Sequence, residues 1–137
     1  MLSSRIIKIF FHFLIRFIFK REHLGVYILR VGLAIVFLYF GIYQILDQSK
    51  WVYFVPDKFF NFYISEVLKS KIVFINGIFD LVIFLSLISG FFIKLFSLLG
   101  FIHLLLIVFF SLGFEPSGIR DLGLALAMLS LFFLSRK

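Results

Sequence analysis

The chain has 137 residues, of which 63% are hydrophobic and 15% charged, and its formal net charge is +7. So few polar side chains cannot cover the surface of a soluble domain of this size, so the composition indicates a single integral membrane domain. There is no cysteine, which excludes disulfides and thiolate metal sites. The basic residues flank apolar segments, and this favours anionic lipid headgroups over nucleic acid as their partner.

The first predicted element is a basic amphipathic helix within residues 1–24. Charged or imidazole side chains recur there at intervals of three or four, at Arg5, Lys8, His12, Arg16, Lys20 and His23. Charges spread through the middle of a segment argue against a spanning helix. We expect this helix to lie in the plane of the lipid headgroups, and the alternative is an ordinary helix packed against the bundle.

Residues 25–137 read as a membrane domain of four spanning helices, predicted at residues 27–46, 72–93, 95–112 and 119–134. Between the first two, Trp51 belongs to an aromatic interfacial stretch, and Pro56 with Asp57 begins a second, short surface helix with its apolar side down. That helix is a candidate lid over the mouth of the bundle. The predicted fold is therefore all-α: a four-transmembrane-helix bundle with an N-terminal amphipathic interfacial helix and a short surface helix in the first loop.

The distribution of Lys and Arg favours a cytoplasmic location for both termini. On that side eight basic residues would flank the helices, against five on the other. The eight are Arg5, Lys8, Arg16, Lys20, Arg21, Lys94, Arg136 and Lys137, and the five are Lys50, Lys58, Lys69, Lys71 and Arg120. By the positive-inside rule we expect a multi-pass protein of the plasma membrane in this orientation.

Asn76 and Asp80 lie four residues apart, so they share one face of the second spanning helix. A carboxylate near the centre of a membrane helix costs about 3 kcal/mol on insertion scales, so Asp80 should have a partner inside the protein. Arg120, near the start of the fourth helix, is the expected counter-charge. The topology brings further polar groups to the same half of the bundle, and the candidate ligand-binding residues are Gln44, Asn76, Asp80, His103, Arg120 and Asp121.

Each of these residues also has a structural interpretation. The Asp80–Arg120 pair serves equally well as an internal strut, and His103 or Asn76 as an interhelical hydrogen bond. Gly123 and Ala127 are spaced for close helix packing. Neither a catalytic motif nor a metal-ligand spacing is present, so no catalytic or metal-binding residue is predicted.

Three stretches resemble the DoxX family of small four-helix membrane proteins. They are ILRVGLAIVFLYFGIYQIL, followed by a loop with Trp and Pro, then NGIFDLVIFLSLISGFFIKLFSLLGFIHLLLI, and GFEPSGIRDLGLALAML with its RDxGL opening. The likeness runs from Tyr27 to Leu134. The matching positions are Arg30, Gly41, Gly77, Asp80, Gly90, Lys94, Arg120, Asp121 and Gly123. Many relatives have Glu in place of Asp80 and a charged motif after Gly41, where this chain reads Ile-Tyr-Gln.

The resemblance implies an accessory or non-catalytic subunit of a quinone-linked membrane redox system, with quinone as the candidate cofactor and an oxidoreductase protein as the candidate partner. The first hypothesis is therefore a small lipophilic molecule bound in the bundle. The second is an assembly scaffold whose buried charges serve only helix packing. A small transporter is a weaker third, because four helices enclose little volume unless copies of the chain assemble.

Overall fold

The computed structural model describes the backbone of residues 2–135 and the side chains of residues 24–135. Its helices are α1 (Leu2–Leu46), α2 (Glu66–Ser89), α3 (Ile93–Ile107) and α4 (Pro116–Leu134). A π-helical turn, Val108–Leu112, extends α3. The loop between α1 and α2, residues 47–65, is called the lid loop below. It contains two 3-10 turns, Gln48–Lys50 and Val52–Phe54, and a hairpin of β1 (Lys58–Phe59) and β2 (Phe62–Tyr63).

The predicted all-α class with four membrane-spanning helices is confirmed. Within residues 2–135 four helical segments are long and apolar enough to cross a membrane, namely Leu24–Leu46, Glu66–Ser89, Ile93–Leu112 and Pro116–Leu134. This is the architecture of a multi-pass membrane protein. Ala34 and Phe37 of α1 are buried in the bundle core, so the face of α1 that carries them points inward.

The N-terminal segment is continuous with the first spanning helix. α1 runs without interruption for 45 residues, which corresponds to about 68 Å and exceeds the roughly 30 Å of the hydrocarbon core. A headgroup-plane location of residues 4–23 therefore requires α1 to bend before its spanning part. The polar stripe lies outside the described side chains, so this location stays a prediction.

The surface helix predicted after Pro56 is wrong, because residues 58–63 form the β1–β2 hairpin. Its strand residues are mostly aromatic, which suits extended backbone. The Ile64 amide donates to the Asp57 carbonyl at 2.8 Å, and this hydrogen bond joins the two ends of the hairpin. Helix α2 then starts at Glu66 and not at residue 72, because the Ser65 hydroxyl caps it by accepting from the Leu68 amide.

The contacts between α1 and α2 and between α3 and α4 are the most extensive in the bundle. α1 and α2 cross at Gly41 and Gly77, where a Cβ on either glycine would lie 3.0 Å from the backbone oxygen of the other. α3 and α4 approach at Gly100, whose Cβ would overlap the Met128 side chain. Glycine is required at Gly41 and Gly77 because α1 and α2 touch backbone to backbone there, whereas Gly100 faces the flexible end of the Met128 side chain.

The apolar core occupies the half of the bundle nearest the turn between α2 and α3. Its fully buried members include Ile83 and Leu87 of α2 and Met128 and Leu131 of α4. Arg30 closes this end of the bundle. Its Nη2 and Nε donate to the Leu87 carbonyl at 2.7 and 3.1 Å. A cation there satisfies carbonyls that the end of a helix leaves without partners.

The prediction of close helix packing at Gly123 is wrong. Gly123 is exposed on α4, and a Cβ added there would meet nothing within 4 Å. Ala127, one turn later, is half-buried against the edge of the core. The spacing of the two small residues did not show that only Ala127 packs on the core. α4 is rotated so that Gly123 points away from the neighbouring helices.

Gly77, which lies at the α1–α2 crossing, and the exposed Gly123 provide a matched test of this crossing. Gly77→Ala should lower the free energy of unfolding by about 1–3 kcal/mol, because the helices must separate to admit a methyl group. Gly123→Ala should leave it unchanged or raise it by up to about 1 kcal/mol, because nothing obstructs the methyl group and alanine is the better helix former. Unfolding in mild detergent, followed by circular dichroism, measures both, and equal effects of the two substitutions would contradict the close crossing.

Candidate ligand-binding site

A cavity of about 500 Å³ lies in the other half of the bundle, beneath the lid loop. All four helices and the lid loop contribute to its wall. Most of the lining is apolar, with aromatic rings from Phe37, Phe40, Trp51, Phe54, Phe59 and Phe110. It lies between the α1–α2 pair and the α3–α4 pair, which pack less extensively on each other than within themselves. The volume falls within the range of small-molecule sites.

A chain of polar side chains from α1 and α2 forms the floor of the cavity. The Asn76 amide donates from Nδ2 to Gln44 Oε1 at 2.7 Å, and Gln44 Nε2 donates in turn to Asp80 Oδ2 at 3.3 Å. Asp80 is only 4% exposed. The glycine crossing sets this arrangement, because Gln44 and Asp80 each lie three residues after a crossing glycine on its own helix. The prediction that Asp80 has a partner inside the protein is confirmed.

His103 of α3 reaches the same carboxylate from the opposite side. Its Nε2 lies 3.2 Å from Asp80 Oδ1, which is an ion-pair distance when the imidazole is protonated. The ring N–H is not aligned for a hydrogen bond, and among the described residues this buried nitrogen has no hydrogen-bond partner. The Phe79 ring packs edge-on against the imidazole, at 4.9 Å between centroids. His103 therefore contributes its ring to the cavity wall while its Nε2 faces Asp80.

The predicted Asp80–Arg120 ion pair is wrong. Arg120 pairs with its neighbour Asp121, whose Oδ1 lies 2.8 Å from both the Nε and the Nη2 of the guanidinium. The guanidinium also lies over the Phe40 ring, 5.2 Å from its centroid. The physical reason is local, since Asp121 is reached along α4 while Asp80 lies across the cavity and is contacted by Gln44 and His103.

All six predicted binding residues line this cavity: Gln44, Asn76, Asp80, His103, Arg120 and Asp121. Sequence reasoning missed the hydroxyls of Ser111 and Ser117, which also line it. Ser111 lies eight residues after His103, a helical spacing that places the two on one face, so its position was available from the sequence. Ser117 offered no comparable signal. Among the described residues, no three His, Asp or Glu side chains lie together as a metal site would require.

The lid loop closes the end of the cavity through contacts with α1 and α3. The Ser111 hydroxyl donates to the Phe54 carbonyl. The Phe59 ring lies 5.1 Å from Phe110, and the Trp51 ring 5.5 Å edge-on from Phe40. The lid that the sequence suggested is therefore present at this position, although it is built from turns and a hairpin.

Lys69 ties the lid loop to α2, a role that sequence reasoning did not assign to it. Its Nζ lies 2.6 Å from Asp57 Oδ1 and 2.7 Å from Glu66 Oε1, and Lys69 is only 6% exposed. The hydrogen bond from Lys69 holds the pKa of the Asp57 carboxyl below its ordinary 3.8. The contact therefore links the hairpin to the start of α2 at neutral pH.

Comparison of the chain with protein-family models, curated proteins and solved structures found no match. The resemblance to the DoxX family stays a prediction from the sequence motifs.

The Asp57–Lys69 contact predicts an acid-sensitive hairpin. Because folding lowers the pKa of Asp57, the contact stabilises the hairpin fully above pH 3.8 and is lost as the pH falls through the lower, folded value. Hydrogen exchange of the Ile64 amide, corrected for the intrinsic rate, should therefore accelerate at acid pH. In the Asp57→Asn variant the same amide should exchange fast at every pH. Asp47 is the control, because Lys50 lowers its pKa within a separate turn, and Asp47→Asn should keep the wild-type profile.

Proposed function

We propose that this chain is a multi-pass membrane protein that binds a small lipophilic molecule of the quinone type in the cavity beneath the lid loop. It would act as an accessory subunit of a quinone-linked redox system in the plasma membrane. The observation that carries the proposal is the combination of an apolar, aromatic cavity with one polar floor. This is the general form of a site for a molecule with an apolar body and a hydrogen-bonding head.

The polar floor fits a head with carbonyl oxygens. Asn76 and Gln44 present amide groups, and each amide keeps one N–H that this chain of hydrogen bonds does not use. A ligand carbonyl would accept from these groups in a place where water is excluded. A quinone would supply redox chemistry when bound, while the residues of the chain bind its head, orient it and exclude water. Phe37, Phe40 and Phe110 provide apolar contacts for its ring and tail.

The orientation inferred from the charges belongs to the same proposal. With both termini in the cytoplasm, the lid loop and the cavity lie in the outer half of the bilayer. The basic N-terminal part of α1 then faces the anionic cytoplasmic leaflet. The partner is an oxidoreductase protein, a role that rests on the resemblance to DoxX proteins. Crosslinking in native membranes, followed by identification of the linked chain, tests it, and recovery of no redox protein would count against the accessory role.

Trp51 is the one tryptophan of the chain and lines the cavity, so its fluorescence reports occupancy directly. Titration of the purified protein with a short-tailed quinone should quench Trp51 saturably. Val36→Phe fills space in the cavity. It should raise the apparent Kd for the quinone by about tenfold, which corresponds to a loss of 1.4 kcal/mol of binding free energy. Ile35→Phe is the matched control, since Ile35 faces outward and is 60% exposed. Linear, non-saturating quenching that both variants leave unchanged would reject the site.

A scaffold without a ligand is the second candidate, favoured by the Arg30 contact with Leu87, which joins α1 to α2 far from the cavity. Two substitutions separate the functions. Arg30→Met should destabilise the protein by about 1.5–3 kcal/mol, the value of a hydrogen bond to a charged group, and leave quinone affinity unchanged. Asp80→Asn should weaken quenching of Trp51 by the quinone, and its free energy of unfolding should stay within about 1 kcal/mol of the wild-type value. If Asp80→Asn instead lowers stability and spares binding, its charge serves packing alone.

A further inference from the structure

We propose that the occupant of the cavity carries an uncharged head and enters sideways from the bilayer, through an opening between α2 and α3. This inference rests on the proposed function and adds to it the class of ligand and the route of entry. Two independent observations support it: the way in which the charges that line the cavity are already paired, and the exposure of the residues along one seam of the bundle.

The charges lining the cavity leave no positive group for an anionic head. Among the described lining residues, Arg120 is the one side chain with a permanent positive charge, and Asp121 holds it at 2.8 Å. Asp121 already engages Nε and Nη2 of Arg120, so an anion at the remaining Nη1 would meet a pair that is electrically neutral. Asp80 on the floor would repel the same anion. A phosphate, sulfonate or carboxylate head is therefore disfavoured throughout the cavity.

A cationic head is also disfavoured, because both oxygens of Asp80 already have contacts. His103 Nε2 lies 3.2 Å from Oδ1, and Gln44 Nε2 lies 3.3 Å from Oδ2. An ammonium group would have to displace one of these and enter a wall that is otherwise apolar. The groups that remain are the free N–H groups of Gln44 and Asn76, which suit a neutral head with hydrogen-bond acceptors, since such donors are worth most where water is excluded.

The other three seams offer no apolar opening beside the cavity. α1 and α2 touch backbone to backbone at Gly41 and Gly77, and α3 and α4 pack extensively on each other. The α1–α4 seam is bordered by the exposed, charged Arg120, whose guanidinium lies over the Phe40 ring. The lid loop covers the end that faces the aqueous phase.

The α2–α3 seam has limited helix contacts, as the α1–α4 seam does, but the side chains that border it at the cavity are apolar. Its two helices are joined by three residues at Gly90–Phe92, at the end of the bundle away from the cavity. Ile72 of α2 and Leu106 of α3 line the cavity, yet they are 38% and 50% exposed. Phe110, 48% exposed, continues this apolar edge up to the lid loop. Side chains that border both the cavity and the outside mark an opening, and at this depth the outside is lipid. An uncharged head crosses such an opening at far lower cost than an ion.

The head class is tested with three probes that share one dibrominated alkyl tail, which quenches tryptophan on contact. Their heads are methyl sulfone, sulfonate and trimethylammonium, so the first two match in shape and differ in charge. The sulfone should quench Trp51 saturably, with an apparent Kd at least about tenfold below that of either ion. Equal or tighter binding of the sulfonate or the ammonium probe overturns the inference and leaves the proposed site intact. Failure of every probe and of the quinone to saturate rejects the site itself.

The route is tested on the same signal, because the chain has no native cysteine. Leu106→Cys, labelled with a bulky thiosulfonate reagent, should slow quenching by the sulfone probe at least about tenfold, and removal of the label with reductant should restore the rate. Ile102→Cys is the control, since Ile102 lies one turn away on α3, is 44% exposed and does not line the cavity. Equal rates for the labelled variants, with helical content unchanged, would show that the probe does not enter between α2 and α3.

Discussion

The backbone contact between Gly41 and Gly77 is the constraint on which the rest of the structure depends. It brings α1 and α2 closer than side chains would allow, and it places Gln44 within reach of Asp80 three residues further along each helix. A carboxylate buried in an apolar bundle is tolerated because it is contacted from two helices at once. The same crossing leaves the α1–α2 pair rigid, so the space in the bundle lies between the two pairs and not within either.

The two halves of the bundle have different roles. The half near the α2–α3 turn contains the close-packed apolar core and is closed by Arg30 on the carbonyls that end α2. The half beneath the lid loop contains the cavity and the polar floor. A tightly packed half can hold four helices in register while the other half stays open, because helix packing need not extend along the whole length of each helix to fix their relative positions.

The charged residues are paired mainly within short distances along the chain or at the ends of helices. Arg120 pairs with its neighbour Asp121, and Lys69 with Glu66 and with Asp57 of the lid loop. These local pairs form without closing the cavity. They offset the free-energy cost of burying charge and leave the amide groups of Gln44 and Asn76 as the neutral donors of the site. The polar groups of the cavity that remain are amides next to the Asp80 carboxylate, because Asp121 is paired with Arg120, and this is the basis of the proposed preference for uncharged ligands.

The sequence by itself determined the class of the protein, four apolar helices with aromatic edges, because the period and length of hydrophobic segments follow from the bilayer alone. It also identified six of the polar residues of the cavity, though not Ser111 or Ser117, since intramembrane polar groups must turn away from lipid. Only the tertiary structure decided which of them meet: Asp80 contacts His103 and Gln44, while Arg120 turns to Asp121. Helical spacing gives the face on which a side chain lies but not the rotation and separation of neighbouring helices. For the same reason the hairpin at residues 58–63 and the outward-facing Gly123 could not be read from periodicity, because both depend on contacts that form only when the helices are packed.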